Sequence, residues 1–140
     1  MDAYAVTREH KLALIVGFSL FLVLGVLDGL WLVYVARDFY QREIGALLLG
    51  EVRKLPALLF YLGYPMGLVL LALTPRPDSL AMALARSALL GLVAYGTYDL
   101  TNLATLKGWS LRVAMADTAW GAVVSAAAGA AVWWVSKRWA

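Results

Sequence analysis

Four long apolar runs, each bounded by charge, constrain this chain more than any other feature. Leu12 to Ala36 holds one charged side chain, Asp28. Leu55 to Thr74 holds none, and Val113 to Ser136 holds Asp117 alone. Between them, Ser79 to Leu106 carries only Arg86 near its start and Asp99 near its end. About 20 mostly apolar residues in helical conformation cross the hydrocarbon core of a bilayer, and every one of these runs reaches that length. A strand crosses in about 10 residues of alternating polarity, and these runs do not alternate. The sequence therefore predicts an all-α polytopic membrane protein. Its four transmembrane helices cover about 12–36, 55–74, 79–106 and 111–136, within a single transmembrane domain of residues 1–140.

Composition excludes the other classes. Apolar types make up 63% of the 140 residues and charged types 15%, against about half and a quarter in soluble domains. A soluble domain of this size needs more polar surface than that, and disorder needs far lower hydrophobicity. There is no cysteine, and the one histidine, His10, precedes the first run. Disulfides, metal centres and bound cofactors are therefore not expected. The net charge of +3 sits in ones and twos at the ends of apolar runs, which fits membrane flanks and not a nucleic-acid surface. The first run is too long for a leader's apolar region and lacks a small-x-small cleavage site before Arg37. The lipid bilayer is the first partner expected.

The longest connection, Arg37 to Lys54, places Phe39, Tyr40, Ile44, Leu47 and Leu48 at helical spacing among Arg42, Glu43, Glu51 and Arg53. This pattern predicts a short amphipathic interfacial helix between the first two spans, serving as a tether or as a lid. Small residues recur four apart as Gly25/Gly29, Gly63/Gly67 and Gly121/Ser125/Gly129, and such stripes serve close packing in the bundle or a homodimer face. Trp109, Trp133, Trp134 and Trp139 fall at helix ends, as an interfacial belt would. Arg86 is near enough to its end to snorkel. An even number of spans puts both termini on one side, here side A, and the first and third connections on side B. Side A carries Arg8, Lys11, Arg76, Arg86, Lys137 and Arg138; side B carries Arg37, Arg42, Arg53, Lys54, Lys107 and Arg112. This even division leaves the orientation open.

The acids point to a site. An aspartate at a helix centre costs about 2.5–3.5 kcal/mol against lipid on the insertion scale, so these side chains should face inward. Asp28 and Asp99 lie toward the side-B ends of helices running one way, and Asp117 lies near the side-B start of a helix running back. At ~1.5 Å per residue the three share one layer roughly 6–12 Å deep. Tyr61 and Tyr64 enter that layer from the second span; Tyr95, Asp99 and Asn102 share a stripe of the third, with Tyr98, Thr101 and Thr105 beside it. Trp31 and Trp120 each follow an aspartate by three residues. Lys107 and Arg112 lie on the same side, within reach of Asp99 or Asp117. One reading is a closed hydrogen-bond network that fixes helix register. The favoured reading is a polar, aromatic-lined pocket in one leaflet. Carboxylates beside aromatic faces suit protons, an organic cation or a lipid headgroup amine. No nucleophile–base pair or cofactor loop stands out, so an enzyme is not favoured.

Three segments carry a resemblance: Leu27-Asp28-Gly29-Leu30-Trp31, the stretch from Tyr95 through Tyr98-Asp99-Leu100-Thr101-Asn102 to Trp109, and Asp117-Thr118-Ala119-Trp120-Gly121. In these the chain resembles the DUF2177 family of small bacterial four-helix membrane proteins. The resemblance implies a multi-pass protein of the bacterial cytoplasmic (inner) membrane and assigns no activity. The residues themselves favour binding or transport of protons or a small cationic or amphiphilic ligand. Homodimerisation is expected if a bundle this small transports. The alternatives are an accessory subunit of a larger membrane complex and a membrane-embedded enzyme acting on lipid.

Overall fold

A computed structural model describes residues 3–139, with side chains from 15 to 137 and Lys11. Expectations that rest on the side chains of Arg8, His10, Arg138 and Trp139 lie outside the described residues. The chain is 85% helical, with no strand among the described residues. Helix α1 (Ala3–Leu30) continues through a widened turn, Trp31–Val35, into the short α2 (Arg37–Ile44). Then come α3 (Lys54–Ala72), α4 (Leu80–Thr105) and α5 (Leu111–Trp139). Among the described residues four segments are long and apolar enough to span a membrane: Ile15–Val35, Lys54–Ala72, Leu80–Thr105 and Leu111–Lys137. The all-α polytopic bundle expected from the sequence is what forms.

Local chemistry sets the helix ends. Ser79 caps α4, its Oγ accepting from the Met82 N–H at 3.2 Å, a cap worth about 1 kcal/mol. Ser110 does the same for α5, accepting from the N–H groups of Arg112 and Val113 at 3.2 and 3.4 Å. Gly108, with φ of 81°, supplies the left-handed residue that reverses the chain between α4 and α5. At the end of α1 the ladder loosens: the Ala36 N–H reaches the Trp31 carbonyl five residues back, at 2.7 Å. Such π-turns change the direction of a helix and recur at functional sites. This one leads directly into α2.

The expected interfacial helix is shorter than the pattern drawn for it. Regular α-helix ends at Ile44, and Leu47 and Leu48 are exposed. Tyr40 and Ile44, one turn apart, are buried with Ala36 against Val113 at the start of α5. Trp109, expected in the interfacial belt, packs on this same cluster. At the opposite end Trp133 donates to the Pro77 carbonyl at 3.1 Å, and Arg86 reaches the Pro75 carbonyl at 3.3 Å. Both hold the loop between α3 and α4.

Helix α5 is the bundle's centre. A third of its most apolar stretch (33%) is buried, against 17% for α1 and for α3. Its small residues are the reason. A Cβ on Gly91 of α4 would overlap the Gly121 carbonyl, and one on Gly129 would overlap Ser87. The stripe Gly121/Ser125/Gly129 is therefore a helix–helix contact within the chain. The other two stripes are not: Gly25, Gly29, Gly63 and Gly67 have nothing within 4 Å of a built Cβ. Side A is closed by Leu20, Leu24, Leu68, Ala83, Val124, Ala128 and Val132. The outward leucines and phenylalanines of α1 and α3 face where acyl chains would lie.

Gly91→Val drives a branched side chain into the α5 backbone. It should destabilise the protein by about 1–3 kcal/mol, read as a lower melting temperature in detergent. Gly25→Ala, with open space around it, should melt like the parent.

Candidate functional site

Helices α1 and α5 run antiparallel, and each has an aspartate followed three residues on by a tryptophan, Trp31 opening the widened turn after α1 and Trp120 within α5. Antiparallel packing brings the aspartate of one level with the tryptophan of the other. Accordingly the Trp120 Nε1–H donates to Asp28 Oδ1 at 3.0 Å. Trp31 donates to the Tyr40 hydroxyl at 3.2 Å, and that hydroxyl donates to Asp117 Oδ1 at 2.5 Å. The two indoles stack between the acids, centroids 4.5 Å apart and nearly parallel at 6°. The result is a cross-brace in which each tryptophan serves the other helix's acid, Trp31 through Tyr40.

Helix α3 is held to this brace by tyrosines. Tyr61 donates to Asp28 Oδ2 at 2.8 Å, so Asp28, 8% exposed, has a donor on each oxygen. Tyr64 and Ser125 share a hydrogen bond at 2.6 Å. Phe60 stacks on Tyr64 at 5.5 Å, and Tyr95 meets Tyr64 edge-on at 6.0 Å. The Tyr95 ring packs over Gly121, where a Cβ would strike it.

Between these helices is a cavity of about 640 Å³. Asp28 and Asp117 line it, with Phe60, Tyr61, Tyr64, Tyr95 and Tyr98 as its aromatic wall. Leu32, Val52, Ala57 and Ala94 complete the lining, and no lysine or arginine contributes. Phe60 and Tyr98 are exposed, 40% and 54%, and mark the rim between α3 and α4.

The remaining residues of the sequence-derived set fall elsewhere. Asp99 is fully buried behind the cavity wall, beside Asp117 and the Trp109 indole. Asn102 lies beside the Tyr98 hydroxyl. Thr101 and Thr105 are exposed and donate to their own helix, to the Thr97, Tyr98 and Thr101 carbonyls. Threonines on an outward helix face satisfy themselves in this way. Neither Lys107 nor Arg112 pairs with an aspartate. Lys107 is exposed, and Arg112 bonds Glu43 at 3.2 Å. Arg112 sits on the first turn of α5 and its side chain is 80% exposed, so it points to the surface where α2 offers an acid.

Two features of the site were not in that set. The sequence pattern puts Tyr40 on the apolar face of the connecting helix, and its hydroxyl is the donor to Asp117. Burial, and then the Asp117 carboxylate, pushes this hydroxyl above the usual tyrosine range. The signal available in the sequence was the need of Asp117 for a donor near the surface, opposite a helix that carries one tyrosine. The second feature is a latch. The Ser110 hydroxyl donates to Glu43 Oε2 at 2.5 Å, and Arg112 holds Oε1. The Ser110 hydroxyl, and then Arg112, hold the Glu43 carboxyl below its usual range. An exposed pair adds little by itself; the latch fixes α2 in place with Tyr40 inserted.

A family model described as a predicted membrane protein (DUF2177) matches residues 13–134. No curated protein and no solved structure matches the chain.

Tyr40→Phe leaves Asp117 without its hydroxyl donor and the Trp31 indole without its acceptor. It should lower stability by about 1–3 kcal/mol, measured by thermal or denaturant unfolding. The Glu43 latch acts when the carboxylate is ionised. Its contribution is present above the ordinary carboxylate value and is lost as pH falls through the lowered one. Amide exchange over Arg37–Ile44, corrected for intrinsic rate, should therefore accelerate in acid. Glu43→Gln should show the fast exchange at neutral pH; slow exchange in that variant would remove the latch.

Proposed function

The chain belongs to the DUF2177 family of predicted membrane proteins, and within that family we propose that it binds an organic cation, with the cavity between α3 and α4 as the site. The observation that carries this reading is the lining itself. Two carboxylates and five aromatic rings surround about 640 Å³ with no basic residue among them. A cation entering this space meets opposite charge in a low-dielectric setting, where each charge–charge contact is stronger than in water. Aromatic faces add cation–π attraction, worth about 0.5–2 kcal/mol per well-placed ring. Asp28, Asp117, Tyr61, Tyr64 and Tyr95 are the contacting groups in this reading, and Tyr98 with Phe60 form the entrance. A rim between two helices faces acyl chains, so a cationic headgroup that carries a tail enters without leaving the bilayer. The cytoplasmic membrane of a bacterium is the setting proposed, and transport of the bound cation or of protons is the activity such a site would serve.

The test uses purified protein in lipid nanodiscs and a quaternary ammonium amphiphile, dodecyltrimethylammonium, with a zwitterionic amphiphile of equal tail as the control. The ammonium should raise the melting temperature with concentration, and the zwitterion should not. Asp28→Asn and Asp117→Asn should each weaken binding about tenfold or more, equivalent to about 1.4 kcal/mol or more. Equal response to both amphiphiles, or unchanged binding in both variants, would count against a cation site.

A further inference from the structure

One buried acid has no role in the cavity. Asp99 is 0% exposed, and neither of its oxygens has a hydrogen-bond donor. An unpartnered carboxylate in such a place is costly. Its neighbour is another acid, Asp117, whose carboxyl lies against it from α5. The second neighbour is the Trp109 Nε1–H, which is also buried and also lacks a partner. Tyr40 from α2, Tyr95 and Tyr98 from α4 and Asp28 from α1 complete the titratable groups around the pair. Among the described residues no lysine or arginine forms an ion pair with either acid.

Hydrogen-bond accounting then has one economical solution. Asp117 already accepts from Tyr40, so it acts as the carboxylate. Asp99 lacks a donor, and it finds a partner if it carries a proton and donates that proton to Asp117. From this geometry we infer that the Asp99–Asp117 pair is a proton-binding site, storing one proton on Asp99 and releasing it when a cation occupies the cavity. The exchange rests on the cation-binding reading of that cavity; the stored proton does not.

The exchange balances. At rest Asp99 is a carboxylic acid and Asp117 a carboxylate. A cation arriving against Asp117 neutralises the charge that the Asp99 proton was facing. The Asp99 O–H bond breaks, its electron pair remains on the oxygen, and the proton leaves to solvent. The new Asp99 carboxylate takes the Trp109 N–H as its donor. One positive charge enters and one leaves. Each state thus has a donor for its own acceptor: Asp99 to Asp117 before, Trp109 to Asp99 after.

Infrared spectroscopy in nanodiscs tests this. The parent protein at neutral pH should show a carboxylic C=O stretch that shifts in deuterated buffer and is missing from Asp99→Asn. Addition of dodecyltrimethylammonium should bleach that band and release one proton per bound cation, read with a pH indicator in weak buffer. Trp109→Phe keeps the stored proton but removes the donor for the released state. It should retain the band and bind the cation about tenfold more weakly. It also covers the case in which Asp99→Asn does not fold. If the parent has no carboxylic band at neutral pH, the stored proton is overturned whether or not the cation binds. Cation binding without bleaching or proton release overturns the exchange and leaves the cavity reading standing. Should the ammonium fail to bind, the cavity reading and the exchange both fall, and the band alone decides the stored proton.

Discussion

Polar groups inside hydrocarbon have no water to turn to, and that constraint organises this molecule. Three aspartates lie in membrane-spanning helices, and each oxygen that lacks an internal donor costs free energy. Asp28 is satisfied by Tyr61 and Trp120, drawn from α3 and α5. Asp117 is satisfied by Tyr40 from α2. The bonds therefore run between helices, and the acids fix how the helices are registered against one another. A slip of α1 along α5 by one turn would separate Asp28 from Trp120 and Trp31 from the Tyr40–Asp117 pair.

Packing divides the work differently. The α4–α5 hairpin is a close pair, made by Gly91, Gly121 and Gly129 against backbone and small side chains. Contact of that kind depends on shape alone, since lipid tails are as apolar as leucine and no hydrophobic force draws helices together. Helix α3 lacks such an interface, and its glycines face open space. Its hydrogen bonds to the bundle run through Tyr61 and Tyr64. A rigid pair, joined by α1 and faced by a helix tied through two hydroxyls, leaves room between them, and that room is the aromatic cavity. The same tyrosines hold α3 and line the space beside it, so fold and site are not separable at these positions.

The short helix α2 joins the two themes. Its apolar residues, Tyr40 and Ile44, pack on the start of α5 as any amphipathic helix would. The Tyr40 hydroxyl reaches the acid layer, and Glu43 ties the outer edge of α2 to Ser110 and Arg112. The π-turn at Trp31–Val35 joins α1 directly to this helix. Through Tyr40, Ile44 and Glu43, α2 is tied to the side-B end of α5.

Much of this was legible in the order of residues. Long, mostly apolar runs dictate four spans because a bilayer has a fixed thickness. The common depth of Asp28, Asp99 and Asp117 follows from a constant rise per residue and alternating helix direction. What these rules do not contain is rotation about each helix axis and the choice of neighbour. Thr101 and Thr105 share the layer by depth but face outward on α4. Gly25 and Gly63 have the spacing of Gly121 and lack its contact. Arg112 was within reach of Asp117 along the chain, yet found Glu43 across a connection whose path the sequence did not trace. Depth is a one-dimensional quantity, set by counting residues; which side chains meet at that depth depends on how curved surfaces fit in the other two dimensions, and only the packed bundle decides that.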